Sequence, residues 1–382
     1  MEPIPITILG GSDRKRSRLP DRARGMHPLG AYKGAALCLD GEPLALVLAR
    51  RLLASGGFGP VTIAGPDRIY GPRILERWGA DEPGPAPVVI DTDSTVAMNL
   101  KAAIRHHEAT HEGPLAILAC DVLPTVDELA DLRARFEEAR PVGLWLPFIQ
   151  SPPDPDELGA FAWKPKYRIV PADTKDGTDA VPILPGHLGI FKPERLRVRL
   201  LFNLMDAAYR TRNRPVASRR WAMLWRVSGS LLLADLLRLL RLHPPTRTVA
   251  VVRAGLRISA ALRSKELRAA DLERIVGDVF LHHEYRRLPR PICLPILRTL
   301  SLAEDVDTEE EAADLMAEVL DDAELGPLDD EPEADRGAPD GSDGASGGSR
   351  TEGPAGRPAG ESGGRSVDGS DDGDPPAREP GA

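Results

Sequence analysis

Four short apolar runs, Ile4–Leu9, Val61–Ala64, Val88–Ile90 and Leu115–Ala119, mark the first 120 residues, and each gap between them holds one stretch of helical apolar spacing: Leu44–Leu53, Ile69–Trp78 and Val96–His107. Runs this short are too brief for buried helices, and strands joined through helices must lie parallel. The alternation therefore predicts an α/β fold, a doubly wound, mostly parallel, Rossmann-like sheet with helices on both faces. Ligands of such sheets bind at the carboxyl ends of the strands. That rule places the Gly10-Gly11 turn and the Cys120-Asp121 strand exit on one edge.

The rest of the 382-residue chain changes character twice. From Arg195 to Arg290 it is rich in Leu, Ala and Arg, with 21 basic and 7 acidic residues, and Pro215 and Pro244-Pro245 break its helical spacing. This reads as a helical insertion into an α/β domain spanning 1–194, to which 291–320 returns a final strand-like run, Ile292–Leu302, and an amphipathic helix, Glu309–Leu320. Residues 321–382 are Gly, Asp, Ser, Pro and Glu with almost no large apolar side chain, so an acidic, disordered tail is expected. From Ser301 onward 25 acidic residues face 5 basic ones; with −9 for the whole chain, the first 300 residues carry +11. An acidic tail on a basic body suits a protein that handles phosphates, and equally one that is merely kept soluble.

Cys38, Cys120 and Cys293 are far apart without C-x-x-C spacing, so neither a disulfide framework nor a zinc site is indicated. The sequence turns charged soon after Gly11, unlike a signal peptide, and no apolar stretch approaches the ~20 residues of a spanning helix. A soluble, cytoplasmic protein is expected.

Four features carry candidate chemistry. Leu9-Gly10-Gly11-Ser12 leaves the first strand, and glycines there let backbone N–H groups approach an anion, although such turns are often only turns. Lys33 precedes an apolar run and the turn Gly41-Glu42-Pro43-Leu44; alternatively it is a surface lysine beside a hairpin. Asp121, in Cys120-Asp121-Val122-Leu123-Pro124, ends a buried strand, where a carboxylate suits a hard cation such as Mg²⁺ or else caps the helix beginning near Val126. Glu304-Asp305-Val306-Asp307-Thr308 precedes the last helix and reads equally as its N-cap cluster.

In this order and spacing, Gly10, Gly11, Lys33, Gly41–Leu44, Asp121 with Pro124, and Asp305-Val306-Asp307-Thr308 resemble the GT-A-like nucleotidyltransferases, in particular the molybdenum-cofactor guanylyltransferase-like (MobA-like) domains. The resemblance covers about residues 4–150 and 290–320. It implies a Mg²⁺-dependent enzyme that transfers an NMP moiety from an NTP to a phosphorylated or alcohol acceptor and releases pyrophosphate. By the same resemblance Leu9, Gly10, Gly11 and Ser12 face the nucleotide, Arg14 meets the triphosphate, and Lys33 neutralises charge developing at the α-phosphate. Asp121 holds the metal with Asp305 or Asp307, and Ser94, Thr95 and Asn99 contact the base or ribose. Gly186 and His187, in a strand that resembles the family's acceptor side, meet the acceptor; otherwise His187 is a strand-edge histidine.

The chain departs from the family pattern in having Asp13 at the third glycine position, a long Gly11–Lys33 interval, and Asp-Val-Leu-Pro where Asp-x-Pro is usual. Two other readings stay open: a glycosyltransferase using Asp91-Thr92-Asp93, and a degenerate nucleotide-binding module. No nucleic-acid partner is expected. For 195–290 the readings are helices packed on the sheet with solvated arginines, an acceptor-side lid, or a surface for peripheral membrane contact.

Overall fold

The computed structural model describes residues 2–11, 23, 25–29, 32–93, 95–164, 166–171, 179–211, 229, 232, 235, 236, 240, 247–264 and 267–314. In chain order the strands are β1 (Ile4–Leu9), β2 (Cys38–Leu39), β3 (Glu42–Pro43), β4 (Phe58–Gly65), β5 (Val88–Asp91), β6 (Leu115–Ala119), β7 (Leu144–Trp145), β8 (Phe148–Gln150), β9 (Tyr167–Ile169), β10 (Val181–Pro185), β11 (Leu188–Phe191), β12 (Ile292–Cys293) and β13 (Ile296–Leu297). The helices are α1 (Lys33–Ala36), α2 (Leu44–Ala54), α3 (Asp67–Ile74), α4 (Val96–Thr110), α5 (Val126–Ala139), α6 (Val198–Thr211), α7 (Arg247–Ser264) and α8 (Ala269–Phe280).

Seven strands form the main sheet in the order β12-β7-β11-β6-β1-β4-β5. β1 runs parallel to β4 and β6, and β4 to β5. β11 is antiparallel to both β6 and β7, and β12 is parallel to β7. Six strands thus point one way and β11 the other, so the sheet is mostly parallel. A second sheet, β13-β8-β10-β9, and the β2–β3 hairpin complete the strands.

Three of the apolar runs become the well-buried strands β1, β4 and β6, while the fourth, β5, is the edge strand, with Val88 and Asp91 exposed. Ile4, Ile6 and Ile8 of β1 are buried together with Leu44, Leu48 and Leu52 of α2 and Leu129, Leu132 and Phe136 of α5. Leu100 and Ile104 of α4 are buried in a further cluster with Leu115 and Phe191. α5 opens with a capping box, Thr125 accepting from Glu128 N while Glu128 accepts from Thr125 N, which leaves Asp121 free of that duty.

Two expectations need correction. The helix read at Ile69–Trp78 is α3, which ends at Ile74 and tightens into a 3₁₀ turn, Leu75–Arg77, after Pro72. The run Ile292–Leu302 is not one strand. Pro295 lacks an N–H and splits it into β12, on the main sheet, and β13, on the second sheet. The tail 321–382, most of residues 212–246 in the basic helical insertion, and residues 315–320 of the last helix lie outside the described residues.

Candidate active site

Leu9 pairs with Ala119 across β1 and β6, so the two strand exits stand side by side, Gly10-Gly11 next to Cys120-Asp121. Gly10 is glycine for a packing reason. A Cβ there would lie 2.6–2.8 Å from two ring carbons and the hydroxyl oxygen of Tyr70, and that hydroxyl donates to Gly10 O at 3.0 Å. Tyr70 is fully buried and that bond fixes its ring, so relief requires backbone movement. Gly10→Ala is therefore expected to cost about 2 kcal/mol of stability, the usual scale for overpacking. A denaturant midpoint unchanged from wild type would show that the ring can step aside.

A second glycine sets Lys33 in place. A Cβ on Gly34 would stand 2.8 Å from Cys120 Cβ, so α1 lies directly on the end of β6. Lys33, the first residue of that short helix, then reaches across the exit. Its Nζ is 2.8 Å from Asp121 Oδ2 and 2.6 Å from Asp307 Oδ1. Burial would lower the lysine's pKa, but Asp121, Asp307 and Asp305 outweigh it and hold the pKa above the ordinary value. The ammonium is charged at any working pH.

Asp305 and Asp307 return to this edge from the far end of the sequence. His187 N donates to Leu302 O at 2.9 Å, and Val306 N to Asp121 O at 3.3 Å. The helix that follows is capped by Thr308, which accepts from Glu311 N at 3.1 Å, while Glu311 accepts from Thr308 N at 3.2 Å. The two aspartates are thus not its cap. Glu311, fully buried, also accepts from Asp307 N and, at 2.9 Å, from Trp163 Nε1. Carboxylate oxygens of Asp121, Asp305 and Asp307 lie within 4.8 Å of one another.

Beside Trp163, Lys164 is a second buried ammonium that the sequence reading did not single out. Its Nζ donates to Asp305 Oδ1 at 2.6 Å and to Asp305 O, stands 4.0 Å from Asp307 Oδ2, and lies 4.6 Å from the centre of the Phe161 ring. His187 Nε2 is 3.4 Å from Asp305 Oδ1. Burial would lower the His187 pKa, but Asp305 raises it above the ordinary value. Burial alone would raise the Asp305 pKa; His187 and Lys164 instead hold it well below the carboxylate range. Asp307 goes the other way, raised first by burial and then by the Asp305 charge. Three carboxylates against two ammoniums leave this cluster with one excess negative charge.

The remaining candidates are placed as follows. Thr95 is the N-cap of α4, accepting from Met98 N at 3.4 Å. Asn99 is fully buried; its Oδ1 accepts from Thr92 Oγ1 at 3.1 Å and its Nδ2 has no partner among the described residues. Gly186 donates its N–H to Pro147 O at 3.1 Å, and a Cβ there would strike that oxygen. Ser12, Arg14 and Ser94 lie outside the described residues. Asp91 and Asp93 have other work: Asp91 accepts from Asp67 N at the start of α3, and Asp93 accepts from Tyr32 Oη and pairs with Arg68. Cys120 is not a nucleophile, since burial and then Asp121 push its thiol up to about 12.

No family profile and no curated protein matches this chain. Among solved structures it is similar to a hypothetical transferase from Thermus thermophilus, at 17% identity and TM-score 0.44, covering 82% of this chain and 100% of the other. It is also similar to the 4-diphosphocytidyl-2C-methyl-D-erythritol synthase of Anaerococcus prevotii, at 8% identity and TM-score 0.40, covering 84% and 100%. A third is a CMP:2-keto-3-deoxy-manno-octonic acid synthetase complexed with CTP, at 11% identity and TM-score 0.35, covering 60% and 85%. At such distances neither reaction nor substrate carries across from one protein to another.

Proposed function

We propose that this protein is a nucleotidyltransferase, which moves an NMP moiety from an NTP to a phosphorylated or alcohol acceptor and releases pyrophosphate. One observation carries the reading: Lys33 bridges Asp121 and Asp307 at the carboxyl edge of the parallel sheet, beside the Gly10-Gly11 exit. Transfer of this kind asks little of side chains beyond position and charge, and this cluster offers both.

The residues present fit a divalent metal. Asp121, Asp305 and Asp307 give hard oxygen donors close enough to face one small cation, such as Mg²⁺ with its ~2.1 Å bonds and retained waters. With the ion bound, the single excess negative charge of these carboxylates with Lys33 and Lys164 would become a single positive one, which attracts a triphosphate. Bound there, the ion would supply Lewis-acid stabilisation of charge on phosphate oxygens.

The side chains would do the rest. An acceptor oxygen attacks the α-phosphorus in line as the bond to pyrophosphate breaks. Lys33 turns from its aspartates toward the oxygens on which negative charge grows. The Gly10 and Gly11 backbone, with Ser12 and Arg14, would hold the nucleotide. Thr95, at the start of α4, would contact the base or ribose, as would Ser94. Asn99 would join them only if its enclosed amide is uncovered. Gly186 and His187 would meet the acceptor, and the pair His187–Asp305 would give that side an imidazole whose pKa Asp305 raises against the lowering effect of burial. The glycosyltransferase reading is less well supported, because Asp91 and Asp93 are not among the three grouped carboxylates and hold Asp67 N, Tyr32 and Arg68 instead.

A thermal-shift series with each of the four NTPs, with and without Mg²⁺, tests the reading. One NTP should raise the melting temperature by several degrees only when Mg²⁺ is present, a stabilisation of about 2.7 kcal/mol at a concentration 100 times Kd. If none of the four shifts it, the nucleotidyltransferase assignment fails.

A further inference from the structure

We propose that the basic helical segment around α7 docks this protein on the surface of an anionic lipid bilayer. The observation behind it is separate from the nucleotidyltransfer site. From Arg199 to Arg263 the sequence holds 13 arginines, no lysine and two acidic residues, Asp206 and Asp235. Asp235 is turned inward: it is buried and accepts from Thr248 N at 2.8 Å, at the N-terminus of α7. The segment is therefore strongly basic in sequence, and Arg199, Arg253 and Arg257 are exposed among its described residues.

Its apolar residues do not all face the core. Ala254, Val251 and Ile258 of α7 pack against Leu200, Ile275 and Val279, which satisfies one face of the helix. On the opposite face Val249, Arg253, Leu256 and Arg257 are all exposed, Val249 at 57% and Leu256 at 62%. At about 100° per residue they spread over roughly 100° of the helix circumference, one face of α7 with Leu256 and Arg257 at its two margins. The helical residues Leu232, Leu236 and Leu240 form another stripe at intervals of four, exposed at 62%, 52% and 74%. Of the nine large apolar residues exposed among the described residues, five lie between 232 and 256. Scattered exposed leucines mean little, but such a concentration on one segment marks an interaction surface.

Charge selects the occupant. A second copy seated symmetrically on this face would set Arg253 and Arg257 against the same two side chains, and like charges oppose that contact. Nucleic acid would meet the arginines but leave the leucines in water. An anionic bilayer meets both: its headgroups attract the guanidinium groups, and apolar side chains enter the boundary below them. No helix among the described residues is long and apolar enough to cross a membrane, so the contact is a surface one.

Flotation of the full chain with phosphatidylcholine vesicles, and with vesicles in which phosphatidylglycerol replaces about a third of the lipid, tests this. Binding to the anionic vesicles should exceed that to neutral ones by about tenfold or more at ~0.1 M salt and vanish near 1 M, where the Debye length falls to ~3 Å. Arg253→Glu with Arg257→Glu, and separately Leu236→Ser with Leu240→Ser, should each lower it about tenfold. All four positions are exposed, so melting temperature and NTP response should stay at wild-type values, which separates this result from the nucleotidyltransferase assignment. Absent or salt-insensitive binding to anionic vesicles overturns the proposal. So does a concentration-dependent dimer that the leucine variant dissolves, which would give the ridge to a second copy.

Discussion

Asp121→Asn is expected to abolish metal-dependent nucleotide binding while leaving the chain folded. Asparagine keeps the shape of the side chain and an oxygen that can still accept from Lys33 at the observed 2.8 Å. The hydrogen bond from Val306 runs to the backbone carbonyl of residue 121 and is unaffected by the substitution. What changes is charge. Two carboxylates would then face two ammoniums, and a divalent ion would meet no excess negative charge and one fewer strong oxygen ligand. A loss of about 100-fold in affinity for the metal–nucleotide pair is expected, equivalent to about 2.7 kcal/mol. Binding of the nucleotide without metal should change far less. Calorimetric titration of the responsive NTP, with and without Mg²⁺, reads both numbers. Equal metal-dependent affinity in a folded Asp121→Asn variant would remove Asp121 from the site and with it the reading of the cluster.

The main sheet was legible because its central strands bury both faces and so appear as unbroken apolar runs. Ile4–Leu9 and Leu115–Ala119 are found with the limits read from the sequence, and the other two runs lengthen, Val61–Ala64 to Phe58–Gly65 and Val88–Ile90 to Val88–Asp91. Errors arose where backbone chemistry, not hydrophobicity, decides. Pro72 and Pro295 end or divide elements whose side chains alone read as continuous. The short edge strand β12 carries too few residues to show any period.

The cluster itself was legible in part, and for a definable reason. Asp121 stands at the end of a run that must be buried, where an unpaired carboxylate is costly, and Lys33 precedes a turn too rich in Gly and Pro to be part of a helix face. Those residues announce themselves by standing in the wrong environment. Lys164 and Glu311 do not. Lys164 follows a 3₁₀ segment, Pro155–Trp163, with no apolar period, and reads as an ordinary surface lysine. Only its flanking aromatics, Phe161 and Trp163, hint that its stem is covered. Glu311 sits among acidic residues on a helix that looks solvated, yet it is fully buried and takes three N–H donors. Tyr70 likewise reads as a core aromatic, and nothing local reveals that it is the reason for a glycine sixty residues earlier.

Lys33→Met is expected to slow pyrophosphate release by 100- to 1,000-fold while changing nucleotide affinity by less than about threefold, the pattern of a lost donor that acts mainly in the transition state. Methionine preserves the length of the stem, so α1 keeps its seat on Cys120 and the comparison is one of charge alone. In the resting protein the ammonium lies between Asp121 and Asp307, on the two oxygens nearest to it. A cation seeking those same carboxylates must displace it. Removing it leaves three carboxylates with Lys164 as the one remaining ammonium of the pair, and the excess charge rises to two negatives. The variant should therefore bind Mn²⁺ alone more tightly than wild type, by about tenfold, even as transfer fails. Electron paramagnetic titration of free Mn²⁺ measures the first effect, and a coupled pyrophosphate assay measures the second. The two must move in opposite directions. A variant that loses Mn²⁺ and activity together would show that Lys33 merely holds the aspartates in place, and a variant that loses neither would show that the nucleotide does not approach this edge of the sheet.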